Sequence, residues 1–534
     1  MYDETAPVLI VGAGPVGLST AVFLSRRGFR PLLIEKRAET SFLPRAPGLQ
    51  ARTLELFRSA GLIDKIRALE TGNSREHFAG GILRTRTFAE IADAELLESP
   101  SLDGPHISPE AVMGCGQDRY EKVLAEHATA AGARIQFGVR LIEFSQDQAG
   151  VTAIVEDTGT GRRWTVRAAY LVGADGARSH VREELGIKRT GRGNVFNALS
   201  IYFRAPKLEE VMGGRKFILC YAHAGGTMVG LSRLHGRDPW LAAPLYHPEQ
   251  GESPDDFTDE RCVEVVRTAA GVPDLAVEVL AKVPWEGAQL VAERFRSGRV
   301  FLAGDAAHVH PPAGGFGANT GIHDAHNLAW KLAAVMRREA GDALLDTYDA
   351  ERRPLGTAMA EQAMVRNRIR HGKAEATDPG EMVDDIIITL GYRYFSTAVV
   401  GATGSQVLRP ELDLSGEPGT RAPHVWLHRD GERLSALDLF DDAFVLLTGA
   451  DGDDWVKAAE LAAERLGVPL RAYRVGPDGD LTDDGTWAAS YGLEPGGAVL
   501  VRPDAFVAWR SPGAAPDAED LLGSVLSRIT GRGK

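Results

Sequence analysis

Residues 8–11 are a short uninterrupted apolar run, the pattern of a strand buried on both faces, and a glycine-rich segment follows at once. Residues 18–27 have helical composition and stop at Gly28, a position suited to the left-handed residue that ends a helix. A second strand is predicted over 31–34, ending at Glu35, so the chain opens with a βαβ unit. Asp118 with Glu121 three residues on predicts a capped helix whose face carries Tyr120, Val123, Leu124 and His127. A buried strand is predicted over 170–174, and Ser179 as the cap of a helix running through Leu185.

Between residues 195 and 285 the pattern changes to short alternating runs, 199–203, 216–221 and 227–231, which predict an antiparallel sheet in a separate lobe. Parallel-type signals return at 300–303. A long helix follows over 322–336, with Ile322, Ala325, Leu328, Ala329, Leu332 and Val335 on one side, so the first domain is expected to be discontinuous in sequence. Past residue 400 the predicted order is strand 443–447, helix 455–466, strand 470–475, a hairpin of 497–502 and 506–509, and a last helix over 517–529. That order resembles a thioredoxin-like α/β fold, yet no cysteine lies beyond Cys262, which excludes dithiol chemistry there.

Composition narrows the function. With 60 Lys+Arg against 73 Asp+Glu, a net charge of −13 argues against a nucleic-acid partner, because such binding neutralises phosphates with Lys and Arg. Cys115, Cys220 and Cys262 are far apart and in no metal-ligand spacing, so neither a disulfide framework nor a metal site is expected, and reducing cytoplasm is the expected compartment. The uncharged stretch 7–24 approaches the length of a membrane span. Asp3 and Glu4 precede it, however, and three glycines and a proline interrupt it, so a soluble protein is expected.

Gly12, Gly14 and Gly17 form GxGxxG between strand and helix, with Glu35 at the end of the next strand. The first glycine permits the tight turn, the second lets backbone approach a pyrophosphate, and the third lets helix and strand pack closely. The helix N-terminus offers free N–H groups to the phosphates, and Glu35 is expected to accept hydrogen bonds from both ribose hydroxyls. Far along the chain, a strand ending in Gly304-Asp305 leads through the loop Pro311–Thr320 into the long helix. A carboxylate there suits a ribityl chain, and the helix N-terminus suits the negative charge of a reduced flavin ring, so FAD is the expected dinucleotide. His308 and His310 flank the loop without a third ligand at metal-binding spacing. No second GxGxxG follows a predicted strand, so a nicotinamide cofactor is expected to visit transiently; Arg178, Lys188, Arg189 and Arg192 form a basic stretch that suits its phosphates, although a solvated loop explains the last three equally well.

On these motifs the chain resembles the class A flavoprotein monooxygenases, the para-hydroxybenzoate hydroxylase group, and within it the aromatic polyketide hydroxylases of anthracycline, angucycline and rubromycin-type pathways. Gly173-Ala-Asp175-Gly176-Ala-Arg178-Ser179 resembles the motif shared between FAD and nicotinamide, and the tail, with Gly419–His424 and Val499–Arg510, resembles the family's redox-inactive thioredoxin-like domain. The resemblance implies an α/β fold: a Rossmann-like FAD domain over 1–75, 104–185 and 286–370, an antiparallel-sheet substrate domain over 76–103 and 186–285, a helical linker over 371–405 and a thioredoxin-like domain over 406–534. It assigns cofactor contacts to Gly12, Gly14, Pro15, Val16, Gly17, Glu35, Lys36, Arg45, Gln117, Asp175, Gly304, Asp305, Pro312, Gly315, Gly317, Ala318 and Asn319, and the nicotinamide region to Arg178. Phe316, Tyr221 and His223 are expected to face substrate, with Tyr221 and Arg366 as catalytic candidates. Arg366 and Arg370 lie on a helix beyond Pro354, where either cation could favour an ionised phenol, although the ordinary reading of such a helix is a solvated face.

The activity implied is NADPH- and O2-dependent hydroxylation of a polycyclic aromatic polyketide through a C4a-hydroperoxyflavin. Baeyer–Villiger insertion or ring rearrangement on the same scaffold is the alternative outcome, and a catalytically silent FAD- or ligand-binding protein is a third. No nucleic-acid or membrane partner is expected, and the protein is expected to be a monomer or homodimer.

Overall fold

The computed structural model describes residues 2–45, 48–70, 74–100, 106–234, 239–372 and 382–532. Parts of the expected linker over 371–405 and of the segments around 71–73 and 101–105 lie outside the described residues.

Three sheets organise the chain. The first is built on parallel strands in the order Val300–Leu302, Arg163–Gly173, Glu4–Val11, Leu32–Glu35 and Arg134–Phe137, with an antiparallel ribbon, Val139–Gln146 and Val151–Asp157, attached to the second of these. Buried on both faces, its central strands read as the continuous apolar runs Val8–Val11 and Leu32–Ile34. Helices Pro15–Arg26 and Phe316–Met336 cover one another and the sheet. The helix after Gly116 begins at Gln117, not at Asp118: Gly116 is the N-cap, Asp118 falls in the first turn, and Glu121 is buried, accepting the Ser41 N–H at 3.0 Å and the Gln117 side-chain amide at 2.6 Å. The Ser179 cap is present, its side chain accepting the Arg182 N–H at 3.0 Å.

The second sheet orders its strands His308–Val309, Glu278–Ala292, Arg189–Arg204, Trp240–Tyr246, Thr227–Arg233, Leu219–Ala224, Ile82–Thr85 and Glu95–Glu98. One face packs Cys220, Ala222, Val229 and Leu231 against Cys262, Val266 and Ala269 of helix Asp259–Ala270. Two strands here are far longer than the short runs expected, Arg189–Arg204 at 16 residues and Glu278–Ala292 at 15. Gly191, Gly193 and two of its three register shifts interrupt the alternation in the first half of Arg189–Arg204, so the regular run is confined to the second half, where 199–203 lies.

The third unit has a four-stranded sheet, Leu470–Val475, Phe444–Gly449, Ala498–Val501 and Val507–Ser511, parallel in its first pair and antiparallel in the rest. Helices Asp453–Leu466 and Ala518–Ile529 pack on one face. Among the described residues no helix is long and apolar enough to cross a membrane, and the three cysteines are buried and unpaired.

Ionic contacts join this unit to the first. Glu351, in helix Ala343–Arg370, is fully buried and accepts Arg502 at 2.5 and 2.9 Å, Lys331 at 2.7 Å, Asn327 at 2.8 Å and Ser396 at 2.6 Å. Arg502 also grips Asp504 at 2.5 and 2.9 Å. A second buried group sets Glu55 between Arg52, at 2.9 Å, and Arg421. Burial alone would raise the Glu351 carboxyl, but Arg502 and Lys331 hold it far below the ordinary carboxylate range.

Glu351→Gln leaves Lys331 and Arg502 buried without their counter-charge, and should lower stability at pH 7 by about 3–5 kcal/mol in denaturant unfolding. Because the folded pKa is depressed, this contribution is fully present above about pH 4.3, the unfolded value. It disappears as pH falls toward the lower folded value, so the gap between wild type and variant should close in acid. A gap that stays constant with pH would mean the carboxylate charge is not what matters.

Candidate cofactor and substrate site

Gly12 has φ +107°, and its N–H donates to Ile34 O at 2.8 Å, which closes the turn after the first strand. A Cβ on Gly17 would strike the Gly12 carbonyl, which is the close helix–strand approach the third glycine serves. At Gly14, the N-cap of helix Pro15–Arg26, a Cβ would meet nothing within 4 Å, so the backbone faces open space where a phosphate can approach. Glu35 accepts the Ala13 N–H at 2.8 Å and the Arg37 N–H and Nε at 3.0 and 2.9 Å. Burial opposes its charge, yet these donors and the Arg37 cation keep the carboxyl below its usual range. Three of a carboxylate's roughly four acceptor sites are therefore taken. Glu35 has room for one ribose hydroxyl rather than the two expected.

The second glycine element meets the first. Gly304, at φ +61°, sits so close to Val16 that a Cβ would come within 2.6 Å of the valine Cγ2, and Gly321 approaches the same methyl. The Gly304 N–H donates to Asp324 Oδ2 at 3.0 Å, and His308 Nε2 bonds the same oxygen at 2.8 Å. Arg352 Nε reaches Asp324 Oδ1 at 2.6 Å. Burial alone would raise the Asp324 carboxyl, but Arg352 and His308 hold it at about 2. Asp305 is exposed beside this braced turn, and crowding by the surrounding protein raises its carboxyl against the pull of His308. His310, stacked on His308 at 6.2 Å, is pushed down to about 4 by burial and by that neighbour, and so stays neutral.

Asn319 is used up by the protein. It accepts the Gln50 N–H at 3.0 Å and Thr53 Oγ1 at 2.7 Å, and donates to Gly48 O at 3.1 Å and Gly315 O at 3.0 Å. All its amide capacity is spent, so the side chain locks the 48–50 segment to the loop, and only its backbone is free to meet a cofactor. Gly315, exposed at φ +66°, caps helix Phe316–Met336, with Gly317 and Ala318 in its first turn and Pro312 exposed before it. Gln117 donates its N–H to Arg45 O at 2.9 Å, bringing those two residues to one corner, where Arg45 and Lys36 are exposed. Asp175 accepts the Val181 N–H at 3.0 Å through Oδ2, while Oδ1 is shut from water with no partner among the described residues. Arg178 is exposed three residues on. The orphaned Asp175 oxygen, the open space over Gly14 and the exposed Asp305 fit an elongated dinucleotide with hydroxyl groups along its length.

Beyond the flavin loop the expectations need correction. Phe316 does not face an open substrate space: it is 1% exposed, packed with Leu355, Met359 and Ala363 and capped by Arg366 at 5.2 Å. Arg366 is not on a solvated face and is not free to act: buried, it is held by Gln362 Oε1 at 3.0 Å, Val383 O at 2.7 Å and Asp385 at 2.6 Å. Arg370 is likewise buried, with a two-pronged bridge to Glu98 at 2.6 and 2.9 Å and contact to the Tyr221 hydroxyl. Helix Ala343–Arg370 continues past Pro354, so both arginines belong to its far end. Tyr221 is half-buried on the sheet face under that end; burial raises its hydroxyl pKa although Arg370 opposes. His223, two residues on, is exposed. Asp324 and Glu98 were not anticipated in these roles. For Asp324 the available signal was a charge on an otherwise apolar helix; for Glu98, which lies 272 residues from its partner Arg370, the sequence offers none.

The description "FAD binding domain" matches residues 5–363, and "Aromatic-ring hydroxylase, C-terminal" matches residues 415–533. The chain is 46% identical to tetracenomycin A2 monooxygenase-dioxygenase of Streptomyces glaucescens, over 100% of this chain and 98% of the relative. It is 41% identical to an aklavinone 12-hydroxylase of Streptomyces purpurascens, over the whole of both chains. Its fold superposes on that of aklavinone-11 hydroxylase, solved with FAD and aklavinone, with a TM-score of 0.90, 39% identity and full coverage of both. With its paired glycine turns, its sheet-based second lobe and these matches along its whole length, the chain belongs to the family of FAD-dependent aromatic-ring hydroxylases.

Proposed function

We propose that this protein hydroxylates a polycyclic aromatic polyketide in antibiotic-type biosynthesis, using FAD, NADPH and O2. The observation that carries the reading is the meeting of the two glycine elements at Val16, with a half-buried aromatic sheet face beyond them. FAD, when bound, supplies the oxygen activation and electron transfer that protein side chains lack.

The chain's own residues bind, orient and exclude water. The turn at Gly14 and the N-terminus of helix Pro15–Arg26 receive the pyrophosphate, and exposed Lys36 and Arg45 add positive charge. Glu35 takes a ribose hydroxyl and Asp305 the ribityl chain. Gly315 and the first turn after it would offer N–H groups to the flavin ring, and Asn319 ties that loop in place. Tyr221 stays protonated, and Arg370, its charge met by Glu98, holds the Tyr221 oxygen so that the hydroxyl is left to donate to the substrate's phenolic oxygen. Arg370 is itself oriented by Glu98. Arg366 is a positioning residue, bracing Phe316 at the start of the flavin-loop helix.

The purified protein should carry FAD, and polycyclic phenols should stimulate its NADPH oxidation with a product one oxygen heavier and no ring cleaved. A colourless protein sinks the reading; ring cleavage seen by NMR shifts it to oxygen insertion. Asp305→Ala should weaken FAD binding by about tenfold or more while leaving the melting temperature of the apoprotein nearly unchanged, since it removes one charged hydrogen-bond acceptor from an exposed position. Stoichiometric FAD after dilution and gel filtration would remove Asp305 from the cofactor contacts. Tyr221→Phe should retain FAD and lower kcat/KM about tenfold, with the loss confined to substrates bearing an ionisable phenol.

A further inference from the structure

Phe196, Tyr221 and Trp285 project from three strands of the second sheet, and none belongs to any of the packed cores. They form one cluster with His371, which ends the long helix. Phe196 meets Trp285 edge-on at 5.4 Å and His371 at 5.6 Å, and Tyr221 meets His371 at 6.3 Å. Half-buried aromatic rings outside a core are unfinished packing, since each ring leaves apolar surface unmatched.

Two of these rings lie on glycines. Phe196 pairs with Gly287 across the sheet and Tyr221 with Gly230. A Cβ on Gly287 would run into the Phe196 ring, with its Cδ1 at 2.8 Å and two further ring atoms closer still; a Cβ on Gly230 would stand 3.3 Å from Tyr221 Cε1. Neither glycine needs a positive φ, so it is the space above the strand, not backbone conformation, that calls for glycine there. Phe196 can yield only away from the strand, with Gly287 beneath it and Trp285 and His371 packed beside it. Trp285, Gly287 and Gln289 alternate onto one face of strand Glu278–Ala292. On that face Trp285 Nε1 and Gln289 Oε1 are both shut from water and without a partner among the described residues. A buried indole N–H and a buried amide oxygen ordinarily find partners, so a donor and an acceptor stand waiting beside the rings.

We propose that this cluster is the wall that recognises a flat polycyclic aromatic ligand by its faces and its oxygenated edge, and that Gly287 decides how large a ring system it admits. The proposal rests on the polyketide-hydroxylase reading and names its size-determining residue. A methyl at Gly287 drives Phe196 off the strand into the space the ligand needs, while the Trp285 N–H and the Gln289 carbonyl take a carbonyl or hydroxyl at the ligand's edge.

The test measures dissociation constants of the FAD-loaded protein for 1-naphthol, 1,8-dihydroxyanthraquinone and aklavinone from perturbation of flavin absorbance. Gly287→Ala should weaken the three- and four-ring ligands at least tenfold and 1-naphthol less than threefold, with FAD content unchanged. Adding Phe196→Ala to that variant should return the ratio of larger-ligand to 1-naphthol affinity to within threefold of its wild-type value, which a merely destabilising substitution would not do. Trp285→Phe should weaken the anthraquinone at least fivefold. If Gly287→Ala fails to hold FAD, Phe196→Trp, which enlarges the ring from above, should give the same size-selective loss. Wild type that binds none of the polycycles would defeat the underlying functional reading. Wild type that binds them, with variants showing no size-selective loss, overturns the role of Gly287 alone.

Discussion

Two neighbouring residues of one helix, Glu351 and Arg352, carry opposite charges into the interior and hold two different parts of the molecule. Glu351 collects Lys331, Arg502, Asn327 and Ser396, and through Arg502 it fixes the C-terminal unit. Arg352 reaches the other way, to Asp324, Thr320 O and Tyr394. Asp324 then sets the Gly304 turn and His308. Every ion in this chain of contacts is fully or almost fully buried, so each is tolerable only while its partner stays in place. The turn that presents Asp305 and the seam with the C-terminal unit are thus parts of one charge arrangement. A C-terminal unit without cysteines has a physical reason to be there: it supplies Arg502 and Asp504 to that arrangement.

Glycine does a different task in each half of the site. At Gly12 and Gly304 it allows a backbone conformation that side-chain-bearing residues rarely adopt, and at Gly17 it lets two backbones nearly touch. At Gly230 and Gly287 it leaves room above a regular strand for a ring from the neighbouring strand to lie down. The first use shapes a cradle for phosphate and flavin; the second shapes a surface for flat apolar rings. Between them the Asn319 amide, with all four of its bonds made to protein, ties the loop that separates the two.

The parts of this arrangement that depend on local chain chemistry were legible in the sequence. The βαβ opening, the Ser179 cap and the Leu470–Val475 strand emerge from periodicity and turn residues alone. The features that escaped are those set by distant partners. Arg366 and Arg370 on a polar helix read as solvated, because nothing local announces that Asp385 and Glu98 come from elsewhere to bury them. The capping pattern at Asp118 and Glu121 was overruled because Glu121 serves Ser41 from another segment. The long strand Arg189–Arg204 was seen only in its second half, since its first half is made irregular by its pairing with Glu278–Ala292. Asp324 and Lys331 had a faint signature, charges recurring on a helix that is apolar elsewhere, and such charges have to be paired if the helix is buried.

The irregularities of strand Arg189–Arg204 have one more consequence. Its pairing slips by one residue between Gly191 and Gly193 and again between Asn194 and Phe196, while the partner runs on from Leu290 to Gly287 without interruption. Side chains alternate faces with every residue, so each extra residue reverses the facing of all the side chains beyond it. Phe196 lies just past both extra residues, in unbroken register with the 197–202 segment whose Leu199 and Ile201 are in the core, and that anchored segment fixes its side of the sheet. A one-residue deletion before Phe196 would leave the ring where it is and reverse the facing of the residues between Arg189 and the deletion. For this fold, then, the aromatic wall is insulated from changes of length upstream, and the extra residues decide only which side chains the 189–194 end of the strand turns to each face.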